Sequence, residues 1–469
     1  MLWQLVVVAL TLAWLHYRWR RRAIHRLHAA LAADLPAHPL LGHATLLLGT
    51  DEDRMKAFQL IGRTALRQGG LASAWMFNRL YVVVADAAVA GVVARRCLDK
   101  DEATMGFIRT LIGNGSIFAP VEIWRPRRKI LAPVFGVRRV AAYVGVFDRH
   151  AAAAADQLRA RAAAAAGDFS LWDTLIAYTF DAVCETSLGV QLRSQGGAPH
   201  PFLRAFAGAQ RELARRMCAP WLYPDAVYRA LPPHRRFRRY RTQIHRFIDE
   251  IIRDKRKAMS SLENKGKLRP SIAESGSAGG AGEEESEQLS FLERMVRGGE
   301  YSERELREEV MVLVMAGSDT TALGAAFALL LLARHPLLQD RLRTELVEVL
   351  GDGCGAVSAA ALARLRYLDA VVREALRLYP PVPVTVREVH DDLALPGGLV
   401  LPAGVAVLLN TWATHRNAAY WGADADTFRP ERFLEAPLRH PAQFMPFGYS
   451  TRNCLGNIST TSSSHLLER

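Results

Sequence analysis

The stretch from Ser302 to Arg334 constrains this fold more than any other part of the chain. No proline interrupts it before Pro336, and Ser302 with Glu305 makes the capping-box pattern that opens a helix. At about 1.5 Å per residue the helix would run roughly 50 Å. From Val310 to Ala333 the only charge is Asp319, so hydropathy alone reads a membrane span. A carboxylate at a bilayer centre costs roughly 2.5–3.5 kcal/mol or more. Asp319 also has Ser318, Thr320 and Thr321 as neighbours, so a central core helix with a polar notch fits better. Ala316-Gly317 leaves a groove without side chains for a flat ligand, and the polar residues beyond it stand where protons could be delivered.

Half of the 469 residues are hydrophobic, enough for a sizeable core around such a helix. The net charge of +13 is concentrated in runs such as Arg18, Arg20, Arg21, Arg22 and Arg235, Arg236, Arg238, Arg239, Arg241. Such runs suit an anionic membrane surface or an acidic protein partner, and the second also reads as a solvated face. No finger, RNP or helix-turn-helix pattern accompanies the charge, which argues against nucleic acid. The 5 cysteines, Cys97, Cys184, Cys218, Cys354 and Cys454, are scattered, as in a reducing compartment.

Residues 1–22 form an apolar run followed by a basic cluster. The run is shorter than the roughly 20 residues of a typical span, so an interfacial helix or a short anchor fits. Charge after the run disfavours a cleaved signal peptide and keeps the body cytoplasmic. Residues 23–43, with Pro36, Pro39 and Gly42, read as a hinge. The body of the chain then spans 44–457, and 458–469 is an atypical polar tail. Strands are expected at 71–77, 81–85 and within 384–409, and helices at 140–166, closed by Gly167, and 237–257. Residues 265–287 read as a surface loop.

Three smaller motifs carry chemistry. Glu374 and Arg377 are three apart and share a helix face, a pattern that alone is usually surface decoration. Arg432, in Pro430-Glu-Arg432-Phe433, could join them on Glu374. Trp124 and Arg128 lie about one helical turn apart and suit a carboxylate ligand, although an amphipathic basic helix gives the same pattern. Finally, Phe447-Gly-Tyr-Ser-Thr-Arg452-Asn-Cys454-Leu-Gly456 fits a thiolate held in a backbone loop. Alone, that cysteine would read as a free thiol.

In this order, with Arg387 between the Glu374 and Arg432 motifs, these residues resemble the cytochrome P450 family, the haem-thiolate monooxygenases. The wording is closest to microsomal enzymes of the insect fatty-acid hydroxylase-related clan. The resemblance implies a mainly α fold with a small β region and haem b (iron protoporphyrin IX) as cofactor. It makes Cys454 the metal ligand and puts Trp124, Arg128, Arg387 and Arg452 near the propionates. Ala316, Gly317, Phe447 and Gly456 would border the ring, with Phe447 on the Cys side. Asp319 and Thr320 would be catalytic, relaying protons, while Glu374, Arg377 and Arg432 would form a structural triad. The implied reaction inserts one oxygen atom of O2 into a small lipophilic substrate. Its partners would be an NADPH-dependent flavoprotein reductase, cytochrome b5 and the lipid of the endoplasmic reticulum, with the catalytic domain facing the cytoplasm and no nucleic acid bound.

Two features depart from that pattern. Ser450 stands where the family has Gly, and a left-handed backbone there would cost roughly 1–2 kcal/mol. After Asn457 the Ser/Thr-rich tail replaces an apolar-striped helix and a hairpin, so the fold is expected to be truncated after the Cys loop. The rival functional readings are a non-catalytic, membrane-attached chain with impaired haem binding, and a haem-thiolate isomerase that needs no reductase. The pair Asp319-Thr320 weighs against the isomerase. Trp221-Leu-Tyr223 reads equally as a membrane-dipping cluster or as core.

Overall fold

Ser302 starts the central helix, Glu303–Arg334, through both halves of the capping box. The Glu305 N–H donates to Ser302 Oγ at 3.3 Å, and the Ser302 N–H donates to Glu305 Oε2 at 3.0 Å. This computed structural model describes residues 2–164, 167–264, 289–351 and 357–457. The surface loop and the polar tail expected from sequence lie outside them. The chain divides into two units, one of Met1–Glu102, Val382–Thr427 and Leu438–Asn453, the other of Ala103–Pro381, Phe428–Pro437 and Cys454–Arg469.

The second unit is built on the central helix. Among the described residues it is the one helix long and apolar enough to cross a membrane, yet half of its most apolar stretch is buried in protein. Val310, Val314, Ala322 and Ala325 are fully enclosed, in a core shared with Leu175, Tyr178 and Phe180 of the helix Trp172–Val183. Removing such side chains from water supplies roughly 1.5–3 kcal/mol each for the larger ones, so core burial accounts for the hydropathy. The two helices touch closely. A Cβ at Gly317 would lie 2.7 Å from Val183 Cγ2, and Thr179 Oγ1 donates to the Ser318 carbonyl at 3.0 Å. The side-chain-free surface of Gly317 thus packs closely against Val183.

The alanine-rich region is two helices, Val137–Ala142 and Val144–Ala164, instead of one. The Tyr143 N–H bonds back to Val140 at short range, tightening the turn, and Tyr143 packs edge-on against Phe147 at 6.5 Å. That kink brings Val140, Val144 and Phe147 onto one core, a demand that helix propensity does not reveal. The basic helix is longer than expected, Pro232–Asn264.

The first unit holds the sheet, ordered β1 (Leu71–Met76), β2 (Arg79–Val84), β6 (Ala406–Asn410), β3 (Val384–Glu388). β2 runs parallel to β6, with Val82 opposite Val407, and the other pairs are antiparallel. Every β6 residue is buried, as a central strand requires. A separate pair joins β4 (Leu393–Ala394) to β5 (Val400–Leu401). In the proline-containing hinge, Gly42 takes a φ of 61° and a Cβ there would lie 2.3 Å from the Trp75 carbonyl oxygen, so only glycine fits. The N-terminal helix Leu2–Arg20 carries exposed Trp3, Leu10, Leu12 and Trp14.

The contact of Gly317 with Val183 is testable. Gly317→Ala should destabilise the protein by about 1–2 kcal/mol, because the β-branched Val183 has little freedom to move. Val183→Ala in the same chain should recover much of that loss, read as a non-additive double-mutant cycle in chemical denaturation.

Candidate active site

Glu374, Arg377 and Arg432 are buried charged side chains of the second unit. Glu374 and Arg377 occupy one face of the helix Arg366–Leu378, and neither is accessible to solvent. Arg377 donates through Nε to Glu374 Oε2 at 2.7 Å and through Nη2 to Oε1 at 2.8 Å, a two-pronged fork. Arg432 Nε reaches Oε1 at 2.9 Å, and the backbone N–H of Arg429 reaches the same oxygen at 2.9 Å. Glu374 thus ties the Pro430 segment to the helix. A second clamp works on that segment, where Glu431 accepts from Tyr367 Oη at 3.0 Å and from Arg341 at 2.6 Å. The sequence motif located the three side chains; the Arg429 backbone donor carries no residue signature.

Cys454 is exposed to solvent, yet desolvation is the largest influence on it. Burial pushes the thiol up, while a backbone hydrogen bond from Gly456 and the nearby Arg128 charge pull it down. Both facts fit a thiol reachable from one side and ringed by protein elsewhere. Arg128 lies on the helix Val121–Leu131 with its guanidinium 6.0 Å from the ring of buried Trp124. Burial lowers the Arg128 pKa and Cys454 raises it. Sequence placed Trp124 and Arg128 together but did not link Arg128 to Cys454. A Cβ added at Gly456 would keep ordinary van der Waals distance, 3.9 Å, from the Phe135 ring.

The first unit contributes the chain leading into Cys454. His415 is fully buried, and its Nε2 accepts from the Met445 N–H at 2.9 Å, fixing the start of the loop. Half-buried Phe447 follows, then Gly448 and Ser450 with positive φ of 75° and 66°. The left-handed backbone considered at Ser450 is therefore present, carried by a residue with a Cβ. Arg452 Nε donates to the Leu98 carbonyl at 3.0 Å. Arg387, on β3, is buried, and its Nε and Nη1 meet no hydrogen-bond acceptor among the described residues. Asp99 is within Coulomb reach of Arg387 but pairs with His390 at 3.2 Å. Desolvation holds Lys100 well below its ordinary pKa, and Arg387 and Arg452 push it lower still. Three basic groups thus crowd one another, and Arg387 presents buried donors that meet no acceptor among the described residues. Sequence reasoning found Arg387 and Arg452 but missed Lys100, which lies in no motif.

On the central helix, Asp319 accepts from Gln210 Nε2 at 2.7 Å. Burial raises the Asp319 pKa and the Gln210 bond lowers it. Thr320 Oγ1 donates to the Ala316 carbonyl at 2.7 Å, and Ala316 itself is half-buried. Gln210, on the helix Pro201–Cys218, is a partner no local pattern could reveal.

No cluster of three His, Cys, Asp or Glu side chains able to hold a bare metal ion occurs among the described residues. A haem brings its own equatorial ligands and needs only an axial one from the protein. The crowded basic groups and the unmet Arg387 donors suit carboxylates such as propionates. The class so defined is a haem-thiolate protein. The family model "Cytochrome P450" matches residues 34–461, and the chain belongs to that family of haem monooxygenases. Cytochrome P450 4d2 of Drosophila melanogaster is 27% identical over 467 residues, covering 96% of this chain and 88% of that protein. Probable cytochrome P450 4d20 of the same species is 32% identical over 363 residues, covering 75% and 69%. Human cytochrome P450 4V2 is 28% identical over 429 residues, covering 90% and 79%.

Two substitutions test the local energetics. Arg377→Ala should cost about 3–5 kcal/mol in chemical denaturation, because it strands a buried carboxylate. Ser450→Gly should gain about 1 kcal/mol by removing left-handed strain, seen as a raised Tm.

Proposed function

We propose that this chain is a membrane-attached monooxygenase inserting one oxygen atom of O2 into a small lipophilic substrate. Its electrons come from an NADPH-dependent flavoprotein reductase, with cytochrome b5 as a second donor. The cofactor in this reading is haem b, which supplies the redox chemistry of dioxygen activation. Cys454 would ligate the iron, and Arg387, Arg452, Lys100, Arg128 and Trp124 would hold the propionates. Phe447 and Gly456 would border the ring on the Cys side and Ala316 on the other, while Glu374, Arg377 and Arg432 keep a structural role. The domain reading is unchanged: an anchor at 1–22, a hinge at 23–43 and a catalytic body at 44–457.

The observation that carries oxygenation is the half-buried Asp319-Thr320 pair. Burial raises the Asp319 pKa, so its carboxyl holds a proton more readily than an exposed aspartate does. Gln210 fixes its orientation by donating to one carboxylate oxygen. Thr320 donates its own proton to Ala316 and keeps oxygen lone pairs able to accept one. Proton delivery from a positioned acid contributes about 10²–10⁴-fold. An isomerase has no use for such a relay.

Membrane attachment rests on the exposed apolar side chains of the Leu2–Arg20 helix and the arginines that end it. It supports placement on the endoplasmic reticulum with the body facing the cytoplasm. Exposed Arg125 and Lys129, on the Trp124 helix, offer basic contacts to an acidic reductase.

The direct test supplies purified reductase, NADPH and ¹⁸O₂ to the full chain in phospholipid and screens lipophilic substrates. One labelled oxygen per product, dependent on reductase, is expected. Unlabelled product formed without reductase would make the chain an isomerase. Asp319→Asn should lower turnover by about 10²-fold while raising Tm at neutral pH. The folded pKa of Asp319 lies above its unfolded value, so stability is lost as pH rises through that interval. The gain from Asn should therefore vanish in acid, where the carboxyl is protonated both folded and unfolded.

A further inference from the structure

A cavity of about 190 Å³ in the second unit is lined by the Glu102–Ile112 helix, the basic Pro232–Asn264 helix and the first turns of the central helix. Its described wall carries Arg109, Arg241, Arg304, Arg307 and His245, with Glu308 as the carboxylate. A broader, solvent-open hollow along the basic helix alone shares Arg241 and His245 and adds Arg246 and Arg253 beside Asp249. Across the two spaces six guanidiniums meet two carboxylates.

Both carboxylates are already engaged. Asp249 accepts from Arg307 Nε at 2.5 Å and from Nη2 at 3.0 Å. Glu308 accepts from Arg304 Nε at 3.0 Å and has Arg127 at 3.7 Å. Its side chain closes against Gly113, where a Cβ would overlap the carboxylate. Arg241, by contrast, donates Nη1 to the Thr110 carbonyl at 3.1 Å. A carbonyl orients that guanidinium without neutralising it. His245 donates Nε2–H to the Leu111 carbonyl at 3.0 Å, which fixes its tautomer. Burial lowers the His245 pKa, and Arg307 and Arg241 lower it further, as expected in a field of surplus positive charge.

Guanidinium forks in a walled space select oxyanions, and a surplus of several charges favours a multiply charged one. A phosphate monoester carries about −1.5 to −2 at neutral pH, which matches better than a single carboxylate. The smaller cavity has room for a head group, not for a whole lipid. We propose that these paired spaces bind a phosphate monoester, either free or as a lipid head group. This site is independent of the oxygenation chemistry above.

The test is equilibrium binding of inorganic phosphate to the detergent-solubilised holoenzyme, with ionic strength held constant by chloride. The expected result is saturable binding, weakened about tenfold or more by Arg241→Gln, as for loss of a charged hydrogen bond. Arg304→Gln, at an exposed side chain that leaves the helix contact of Arg241 with Thr110 intact, should weaken it too. The haem spectrum of each variant checks its folding. Binding to phosphatidic-acid vesicles that inorganic phosphate displaces would assign the site to a lipid head group, and saturable phosphate binding without vesicle binding to the free anion. Uptake that never saturates, or an affinity unchanged in both variants, would overturn the proposal.

Discussion

Removing a charge from water costs several kcal/mol even after relaxation, unless partners and hydrogen bonds replace its hydration. That constraint separates the parts of this chain that hold structure from those that do chemistry. Glu374 receives two bonds from Arg377, one from Arg432 and one from the Arg429 backbone, so its charge is fully matched within the protein. Such a group has nothing left to offer a ligand, and its work is to fix the Pro430 segment. Arg387 is the opposite case, buried with two donor atoms that meet no acceptor among the described residues, beside Lys100 and Arg452. In the proposed reading, the carboxylates of the cofactor would supply the acceptors that these donors need.

The central helix obeys the same constraint at lower cost. Ser318 and Thr320 return their hydroxyl protons to carbonyls one turn back, at 2.5 and 2.7 Å, so the polar notch is largely self-satisfied. Asp319 has a single described donor, Gln210, and burial keeps its proton affinity high. Cys454 is similar, with burial outweighing the help of Gly456 and Arg128. A metal ion reverses that balance, because a coordinated thiol is deprotonated outright. If Cys454 ligates the haem iron as proposed, haem binding and the chemistry of the Cys loop are one property.

Legibility from sequence followed the range of the interaction. The capping box of Ser302 and Glu305 and the helical spacing of Glu374 and Arg377 are local and stood in the sequence, whereas the positive φ at Ser450 was suggested only by the Gly of the resembled family. The short strands between Val384 and Asn410 were legible from β-favouring residues between glycine turns. Partners distant in the chain were not. Nothing near Asp319 points to Gln210, and nothing near Arg387 points to Lys100. The break at Tyr143 and the role of Gly317 escaped for a related reason. Both depend on what packs against the helix, Phe147 and its core in one case and Val183 in the other, and alanine or glycine content says nothing about that neighbour.

The central claim, that Cys454 of this chain ligates haem iron as a thiolate, is tested most directly by the reduced, CO-bound difference spectrum of the full chain expressed in a membrane-containing host with haem supplied. The account predicts a Soret band at the long-wavelength position of a thiolate-ligated haem, lost in Cys454→Ala. A band at the position given by a neutral ligand, or no haem signal at all, would contradict it.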